Sequence, residues 1–268
     1  MTIEALIAGS GLPTHEAELL LAAALQRERT WVIAHVKKDL SVDEAKRAQT
    51  LLDRRKCSEP VEYITGQKEF FGRMFAVSPA VLIPRPATEQ LIVETVRFLT
   101  HPHDSSREVD AGIAVVARVL RALPAPRLIA DIGTGSGCIA VTLALECPDC
   151  SLIATDVSED ALDVARKNAS IHHVQERMRF LHGPFLEPLS AIQEPFIVVS
   201  NPPYVPDGAS LPRDVKNYEP SQALFGGADG GDVLRQIVVQ ATSHPFCAGI
   251  LLECQTDQIT IIGLEKPR

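Results

Sequence analysis

The chain has 268 residues, of which 46% are hydrophobic and 22% charged, which suits one or two globular domains with a sizeable core. Its 34 acidic side chains outnumber its 26 basic ones, and a net charge of -8 disfavours a protein that clamps a nucleic-acid backbone. The sequence has no apolar run of roughly 18 residues, so we expect no membrane span. Its first residues lack the basic segment that opens a secretory signal, so we expect no such signal and a cytoplasmic location.

Residues 1–72 are predicted to form a helical N-terminal domain. Apolar side chains recur at helical spacing in HEAELLLAAALQ (15–26). Ser41 and Glu44 match a capping box, in which each residue satisfies a backbone N–H of the other, and the helix that they open should end before Pro60. Because this part carries few polar groups suited to chemistry, we expect a small helical bundle that recognises a substrate.

A β-hairpin linker is predicted next, over residues 73–86. Glycines punctuate this part of the sequence, and the short extended pieces FAV and AVLI indicate the two strands. The remainder, 87–268, is predicted to be the second domain, which begins with a helix over 88–99. The polar, aperiodic stretch 101–112 is expected to be an exposed loop.

Strands and helices alternate from Leu128 onward. The predicted strands cover 128–132, 152–156, 178–182, 196–200 and 248–253, and the predicted helices cover 138–146, 159–170 and 233–242. Alternation of this kind is typical of an α/β fold in which a parallel sheet is covered by helices on both faces.

Three glycines follow the first of these strands in ADIGTGSGCIA, at Gly133, Gly135 and Gly137. Glycines in a strand-to-helix turn let the backbone approach a ligand closely, and the helix N-terminus adds positive partial charge. The second strand ends in Asp156, whose carboxylate could accept both hydroxyls of a ribose. A tight turn without a ligand, a dinucleotide site and an S-adenosylmethionine site all fit. The spacing favours the methyl donor over the hydride donor, since a G-x-G-x-x-G pattern that starts at Gly133 ends on Cys138, and only a pattern that starts at Gly135 gives G-x-G-x-x-A.

A second loop follows the fourth strand, in the segment FIVVSNPPYVP (196–206). Its two prolines end both helix and strand because neither donates an N–H, and Asn201 precedes a proline and is therefore extended. The loop is stiff and presents an amide and a phenol at the carboxyl end of a strand. Strands one and four are neighbours in the usual layout of such sheets, so both loops should face one crevice.

The two loops together indicate a transfer reaction to an amide or ring-bound amine, which is a weak nucleophile because its lone pair is delocalised. The side-chain oxygen of Asn201 and the carbonyl of Pro202 can each accept one N–H and aim the nitrogen at a sulfonium methyl. Pro203 keeps this geometry preset, and Tyr204 can cover the planar acceptor or the sulfonium. Asn201, Pro202 and Tyr204 are the candidate catalytic residues, and Asn201–Tyr204 is the candidate substrate site.

Five motifs occur in one order between about residues 10 and 255: PVEYITGQKEFFG, VLIPRPATE, DIGTGSG, NPPY and EPSQALFGGADG. This series resembles the protein-(glutamine-N5) methyltransferases that modify peptide chain release factors, the HemK/PrmC-like family. The resemblance implies a Rossmann-like class I S-adenosylmethionine-dependent methyltransferase domain joined to a helical domain through a β-hairpin. The implied substrate is the glutamine in the Gly-Gly-Gln loop of a release factor, methylated on its side-chain amide nitrogen (N5).

The resemblance also implies roles for individual residues. The methionine part of S-adenosyl-L-methionine would lie along Gly133–Gly137, the ribose at Asp156, the adenine beside Phe185 and the glutamine side chain at Asn201–Tyr204. The implied cofactor contacts are Gly133, Thr134, Gly135, Ser136, Gly137, Asp156, Phe185 and Asn201. No metal ion is expected.

The chain departs from the family pattern at several positions. Ala87, Pro184 and Gln255 stand where the family has an acid, an aspartate and a glycine. The helix and two strands that the family adds after LLECQTDQ are shortened to QITIIGLEKPR, which would leave one edge of the fifth strand uncovered. Either ITII replaces them, a neighbouring chain covers the edge, or the copy is shortened. A monomer is expected, with an edge-strand dimer as the alternative.

Two other functions stay open. Adenine-N6 methyltransferases also carry Asn-Pro-Pro-Tyr, but they call for a basic, base-stacking surface that the net charge does not favour, so no stable nucleic-acid partner is expected. A degenerate module that docks on a release factor or ribosome without turnover would fit Ala87, Pro184 and the short C-terminal segment. Binding of S-adenosylmethionine separates an enzyme from such a module.

Overall fold

The structure is a computed structural model that describes residues 1–102, 105–110, 112–124 and 126–261. The chain divides into two compact units. One consists of Met1–Gln67 with Leu211–Tyr218, and the other of Lys68–Ser210 with the chain from Glu219 onward. Among the described residues, no helix has the length and apolar character needed to cross a membrane.

The first unit is helical, as the sequence predicts. Its helices are α1 (Ile3–Ser10), α2 (Thr14–Leu25), α3 (Arg29–Ala34), α4 (Val42–Lys56), α5 (Val61–Thr65) and, from later in the chain, α9 (Arg213–Tyr218). The predicted capping box is confirmed, since the Glu44 N–H donates to Ser41 Oγ over 3.2 Å and the Ser41 N–H donates to Glu44 Oε2 over 2.8 Å. The domain boundaries predicted from the sequence did not include the α9 segment, which joins this unit where the Tyr218 hydroxyl donates to the Cys57 carbonyl over 2.9 Å.

A two-stranded hairpin follows, and it lies earlier than predicted. Its strands are β1 (Gln67–Phe70) and β2 (Arg73–Ala76), and Phe71 and Gly72, with φ of 52° and 71°, form the turn. The predicted hairpin over 73–86 is therefore wrong in its second half, because AVLI (80–83) lies outside any strand. Ile83 instead donates its N–H to Glu219 Oε2 over 3.3 Å.

The second unit is built on a mixed sheet. Its strands are β3 (Ser105–Asp110), β4 (Ile113–Val119), β5 (Leu128–Ile132), β6 (Ser151–Asp156), β7 (Met178–His182), β8 (Phe196–Ser200) and β9 (Cys247–Gln255), and its helices are α6 (Glu89–Thr100), α7 (Cys138–Glu146), α8 (Glu159–Ile171), α10 (Asp232–Ser243) and α11 (Gln258–Ile261). The strand order is β3-β4-β9-β8-β5-β6-β7, and the five strands predicted from the sequence pair in parallel.

Two apolar layers bury the faces of this sheet because side chains alternate along each strand. On β5, Ile129 joins a cluster with α6 and α7, whereas Ala130 joins a cluster with α10 on the other face. All five residues of β5 and all five of β8 are buried, which explains why both read as continuous apolar runs. β5 and β8 are hydrogen-bonded neighbours, as predicted, so the loops that follow them leave the same edge of the sheet.

The expected loop over 101–112 is wrong for the residues that the structure describes. Residues 105–110 form β3, which pairs with β4, and β4 pairs antiparallel with β9 from Ile113–Gln255 to Val119–Gly249. An antiparallel pair thus covers β9, but it comes from upstream of β5 rather than from the C-terminal end. The described part of ITII lies in the short helix α11 and does not extend the sheet.

Candidate active site

The glycine loop lies between β5 and α7, and its three glycines have different surroundings. Their φ angles are 71°, 53° and 78° at Gly133, Gly135 and Gly137, a region that side chains disfavour. A Cβ atom on Gly137 would lie 3.0 Å from the Cβ of Ala165 on α8, whereas one on Gly133 or Gly135 would meet open space. Gly137 therefore serves helix packing, and the other two glycines leave room for a ligand.

Asp156, at the end of β6, is hydrogen-bonded to the backbone of the glycine loop. Its Oδ2 accepts the N–H of Gly135 over 2.9 Å, and its Oδ1 accepts the N–H of Ser158 over 3.0 Å. Burial raises the pKa of this carboxyl, and the backbone N–H donors oppose that rise. Each oxygen keeps a further lone pair, so the carboxylate can accept two adjacent hydroxyls of a ribose.

Asp131 lies under the same loop and was not singled out by the sequence analysis. Its Oδ2 accepts the Thr134 hydroxyl over 2.6 Å and the Ala140 N–H over 3.2 Å. The side chain is fully buried, and burial raises its pKa to about 7. Among described atoms, its Oδ1 and the Ser136 hydroxyl are buried without a hydrogen-bond partner, which is unusual for buried polar atoms.

The Asn-Pro-Pro-Tyr loop is held by side chains from distant parts of the chain. The Asn201 Nδ2 donates to Thr88 Oγ1 over 2.9 Å. The Tyr204 hydroxyl donates to Glu253 Oε1 over 3.0 Å, and its carbonyl accepts from Gln258 Nε2 over 2.9 Å. The loop is therefore braced at both ends.

Both loops line one cavity of ≈ 400 Å³, and this volume is within the range of small-molecule sites. The predicted site residues that line it are Gly133, Thr134, Gly135, Ser136, Asp156, Phe185, Asn201, Pro202 and Pro203. Gly137 and Tyr204 lie outside the lining: Gly137 packs on α8, and the Tyr204 phenol is directed to Glu253. The prediction that the Tyr204 ring covers the acceptor finds no support in this geometry.

Four further residues shape the cavity or its loops and were missed as site residues. Thr88 lines it, and Glu253 is buried behind it. Asn168 donates to the Ser136 carbonyl over 2.8 Å and so holds the glycine loop to α8. Arg85 lines the cavity, and its guanidinium pairs with Glu219 over 2.7 Å. Two of these residues could have been noticed in the sequence. Thr88 is the hydroxyl residue of PRPATE, and Glu253 is a lone acid at the end of an apolar strand.

The lining fits S-adenosyl-L-methionine. The open space at Gly133 and Gly135 admits a chain along the backbone, the unpartnered Ser136 hydroxyl offers a hydrogen bond to polar groups, and Asp156 offers a ribose site. Phe185 adds apolar surface for a base. These residues would hold the donor, which would supply the methyl group to be transferred.

The sheet order, the glycine loop and the acid at the end of the next strand define a class I S-adenosylmethionine-dependent methyltransferase fold. The family model "Methyltransferase small domain" matches residues 96–216, and the model "PrmC N-terminal domain" matches residues 4–66.

Curated relatives place the chain more narrowly. The release factor glutamine methyltransferase of Koribacter versatilis is 37% identical over 234 residues, which are 87% of this chain and 75% of the relative. The enzyme of the same name from Chlorobaculum tepidum is 38% identical over 244 residues, 89% and 77% of the two chains. A bifunctional methyltransferase of Rickettsia bellii is 35% identical over 270 residues, but these are only 48% of that longer protein. The chain belongs to the release factor glutamine methyltransferase family.

Proposed function

We propose that the protein transfers a methyl group from S-adenosyl-L-methionine to the side-chain amide nitrogen (N5) of the glutamine in the Gly-Gly-Gln motif of a peptide chain release factor. The observation that carries this proposal is that the glycine loop and the Asn-Pro-Pro-Tyr loop line one cavity in a chain of this family. The names of the curated relatives support the choice of substrate.

The chain's own groups orient the acceptor. When bound, S-adenosyl-L-methionine supplies a methyl group made electrophilic by a positively charged sulfur. Because the Nδ2 of Asn201 is engaged by Thr88, its Oδ1 is the atom available to the cavity, where it accepts one N–H of the substrate amide. The Pro202 carbonyl accepts the other N–H, so the nitrogen is fixed in direction before it reacts.

Fixing the nitrogen accelerates the reaction in two ways. It removes the orientational entropy of bringing a weak nucleophile to a small target. The two carbonyl oxygens also stabilise the positive charge that grows on the nitrogen as its lone pair forms the new N–C bond and the carbon–sulfur bond breaks. The excess amide proton then leaves to water.

We also propose a monomeric, cytoplasmic enzyme. β4 covers β9 within one chain, which removes the reason for expecting a neighbouring chain at that edge. A translation factor as substrate would require the protein in the compartment where translation takes place.

The test is intact-mass analysis of a purified release factor after incubation with the protein and S-adenosyl-L-methionine. We expect one added methyl group, and none when the glutamine of the Gly-Gly-Gln loop is replaced by alanine. Methylation that persists in that variant would refute the proposed acceptor, and methylation of an adenine-containing oligonucleotide instead would favour the adenine-N6 alternative. Isothermal titration with S-adenosyl-L-methionine separates an enzyme from a non-catalytic module, which would not bind the donor.

A further inference from the structure

Gln258, the first residue of α11, is a buried side chain that joins three separate pieces of backbone. It has 1% exposure. Its Oε1 accepts the Gln255 N–H over 3.0 Å, at the end of β9. Its Nε2 donates to the Tyr204 carbonyl over 2.9 Å and to the Asp229 carbonyl over 3.3 Å. This one amide therefore ties the end of β9 to the Asn-Pro-Pro-Tyr loop and to the segment GGADG (226–230).

The segment 226–230 lies against the backbone oxygens of that loop. A Cβ atom on Gly226 would lie 2.5 Å from the Pro203 oxygen, and one on Gly230 would overlap the Tyr204 oxygen. Both approaches are too close for a side chain, so only glycine allows them. The segment and the loop thus form one closely packed assembly, and the same buried amide donates to both of its parts.

The peptide unit between Tyr204 and Val205 is held at both of its polar atoms. Residues 202–203 are prolines without an N–H, so the backbone has no donor there. In the next part of the loop, the Tyr204 carbonyl accepts from Gln258. The Val205 N–H of the same peptide unit donates to the Leu224 carbonyl over 3.0 Å. Bonds on opposite sides of one planar peptide unit fix the orientation of its plane.

This anchoring acts on the Pro202 carbonyl, which is proposed to accept an N–H of the substrate amide. That carbonyl lies between two fixed points, which are Asn201, bonded to Thr88, and the peptide unit 204–205. The two prolines allow little rotation between these points because their rings fix φ. If the Gln258 bond is lost, the peptide unit 204–205 can turn about its remaining bond, and the Pro202 carbonyl is no longer held in one direction.

We propose that Gln258 is a positioning residue for methyl transfer: by holding the Tyr204 carbonyl and the segment 226–230 to the end of β9, it fixes the direction of the Pro202 carbonyl. The kinetic consequence rests on the proposed function. The hydrogen bond to the Tyr204 carbonyl is a property of the free protein and is measurable without any acceptor. The proposal gives α11, which lies outside the sheet, a part in the acceptor site.

The first experiment observes the Tyr204 carbonyl by NMR. The dipeptide Tyr-Val occurs once in the sequence, at 204–205. Protein labelled with ¹³C-carbonyl tyrosine and ¹⁵N-valine therefore gives a single signal that joins this carbonyl to the Val205 N–H. Gln258→Met keeps the length of the side chain but removes its polar atoms. We expect the carbonyl signal to move to lower frequency in this variant, as for a carbonyl that has lost a hydrogen bond.

Two further variants complete this measurement. Gln90→Met is the matched control, because Gln90 is a half-buried glutamine whose Nε2 donates to Glu94 Oε1 over 2.9 Å within α6, and it should leave the signal unchanged. Gln258→Asn keeps an amide on a shorter side chain. It should not reach both the Gln255 N–H and the Tyr204 carbonyl, so the signal should move again.

The second experiment separates the geometry of the loop from donor binding. Gln258→Met should lower kcat with a release factor roughly 10-fold, the scale of one or two lost hydrogen bonds. The Kd for S-adenosyl-L-methionine by titration should stay within roughly 2-fold of wild type, since the changed contacts lie on the acceptor side. A purely structural role would instead lower stability and leave the kcat of the folded protein unchanged. Gln90→Met should change neither kcat nor Kd.

An unchanged Tyr204 carbonyl signal in folded Gln258→Met would overturn the proposal, as would a normal kcat in a variant whose signal has moved. If Gln258→Met does not fold, Gln258→Asn decides the question by the same two measurements. If wild-type protein leaves the release factor unmodified, the proposed function fails, whereas the carbonyl signal still decides whether Gln258 holds the loop.

Discussion

The two halves of the cavity are built in different ways. On the side proposed to hold the donor, Asp156 accepts N–H groups from Gly135 and Ser158, within the consecutive strands and turns of one βαβ unit. On the side proposed to hold the acceptor, Asn201 bonds to Thr88, 113 residues earlier, and Tyr204 bonds to Glu253, 49 residues later. The donor half therefore depends on local backbone geometry, whereas the acceptor half depends on the whole domain being folded.

The largest expected effect comes from Asn201→Ala, which removes an acceptor-side group only. We expect kcat to fall roughly 100- to 1,000-fold, the usual loss when a group that stabilises transition-state charge is removed. The Kd for S-adenosyl-L-methionine should stay within roughly 3-fold of wild type, because the donor side keeps its contacts. Steady-state kinetics with a release factor, combined with titration calorimetry, checks both values. Parallel losses in both would contradict the division of the cavity into two halves.

The reverse pattern is expected for Asp156→Asn. The amide keeps the shape of the carboxylate but loses its charge and one acceptor atom, so donor affinity should fall roughly 10- to 100-fold. At saturating donor, kcat should stay within roughly 5-fold of wild type, because the acceptor side is untouched. Asp163→Asn, on the exposed face of α8, is the matched control and should change neither value. A loss confined to kcat would contradict the placing of Asp156 on the donor side of the cavity.

A third expected effect is on stability rather than activity, and it depends on pH. Burial raises the pKa of Asp131 to about 7, above the 3.8 of the free side chain, so the folded state binds its proton more tightly than the unfolded state. The resulting stabilisation is present below about pH 4 and is lost as the pH rises through about 7, with a slope of at most roughly 1.4 kcal/mol per pH unit.

Asp131→Asn removes this dependence. The free energy of unfolding of the variant minus that of wild type should therefore grow as the pH rises from about 4 to about 8. Urea unfolding at several pH values measures that difference. A difference that does not change with pH would show that Asp131 is already ionised in the folded protein near pH 4.

The sequence predicted the elements around the glycine loop well because the signals there are local. Backbone geometry and burial determine these signals, which are a buried apolar run, glycines at a turn and an acid at the end of the next strand. The elements β5, α7 and β6 lie where the spacing predicted them. The adjacency of β5 and β8 followed from a general rule of parallel sheets.

The partners of the Asn-Pro-Pro-Tyr loop and the outer strands could not be predicted in the same way. Residues 105–110 read as a loop because the edge strand that they form shows no apolar alternation in its sequence, SSREVD. The direction of the Tyr204 phenol depends on Glu253, a partner that only the tertiary fold reveals. The hydrogen bond between Thr88 and Asn201 likewise depends on a partner that only the tertiary fold reveals.

The upstream origin of β3 and β4 affects how the chain is made. During synthesis the β3–β4 pair leaves the ribosome before β5, yet its partner β9 is the last of the described strands to appear. Until then one side of β4 carries unpaired N–H and C=O groups while its core-facing side chains stay open to water. Such pairing between distant segments is slow to form. The nascent protein must therefore pass through an interval in which this hairpin has to be kept from associating with other chains.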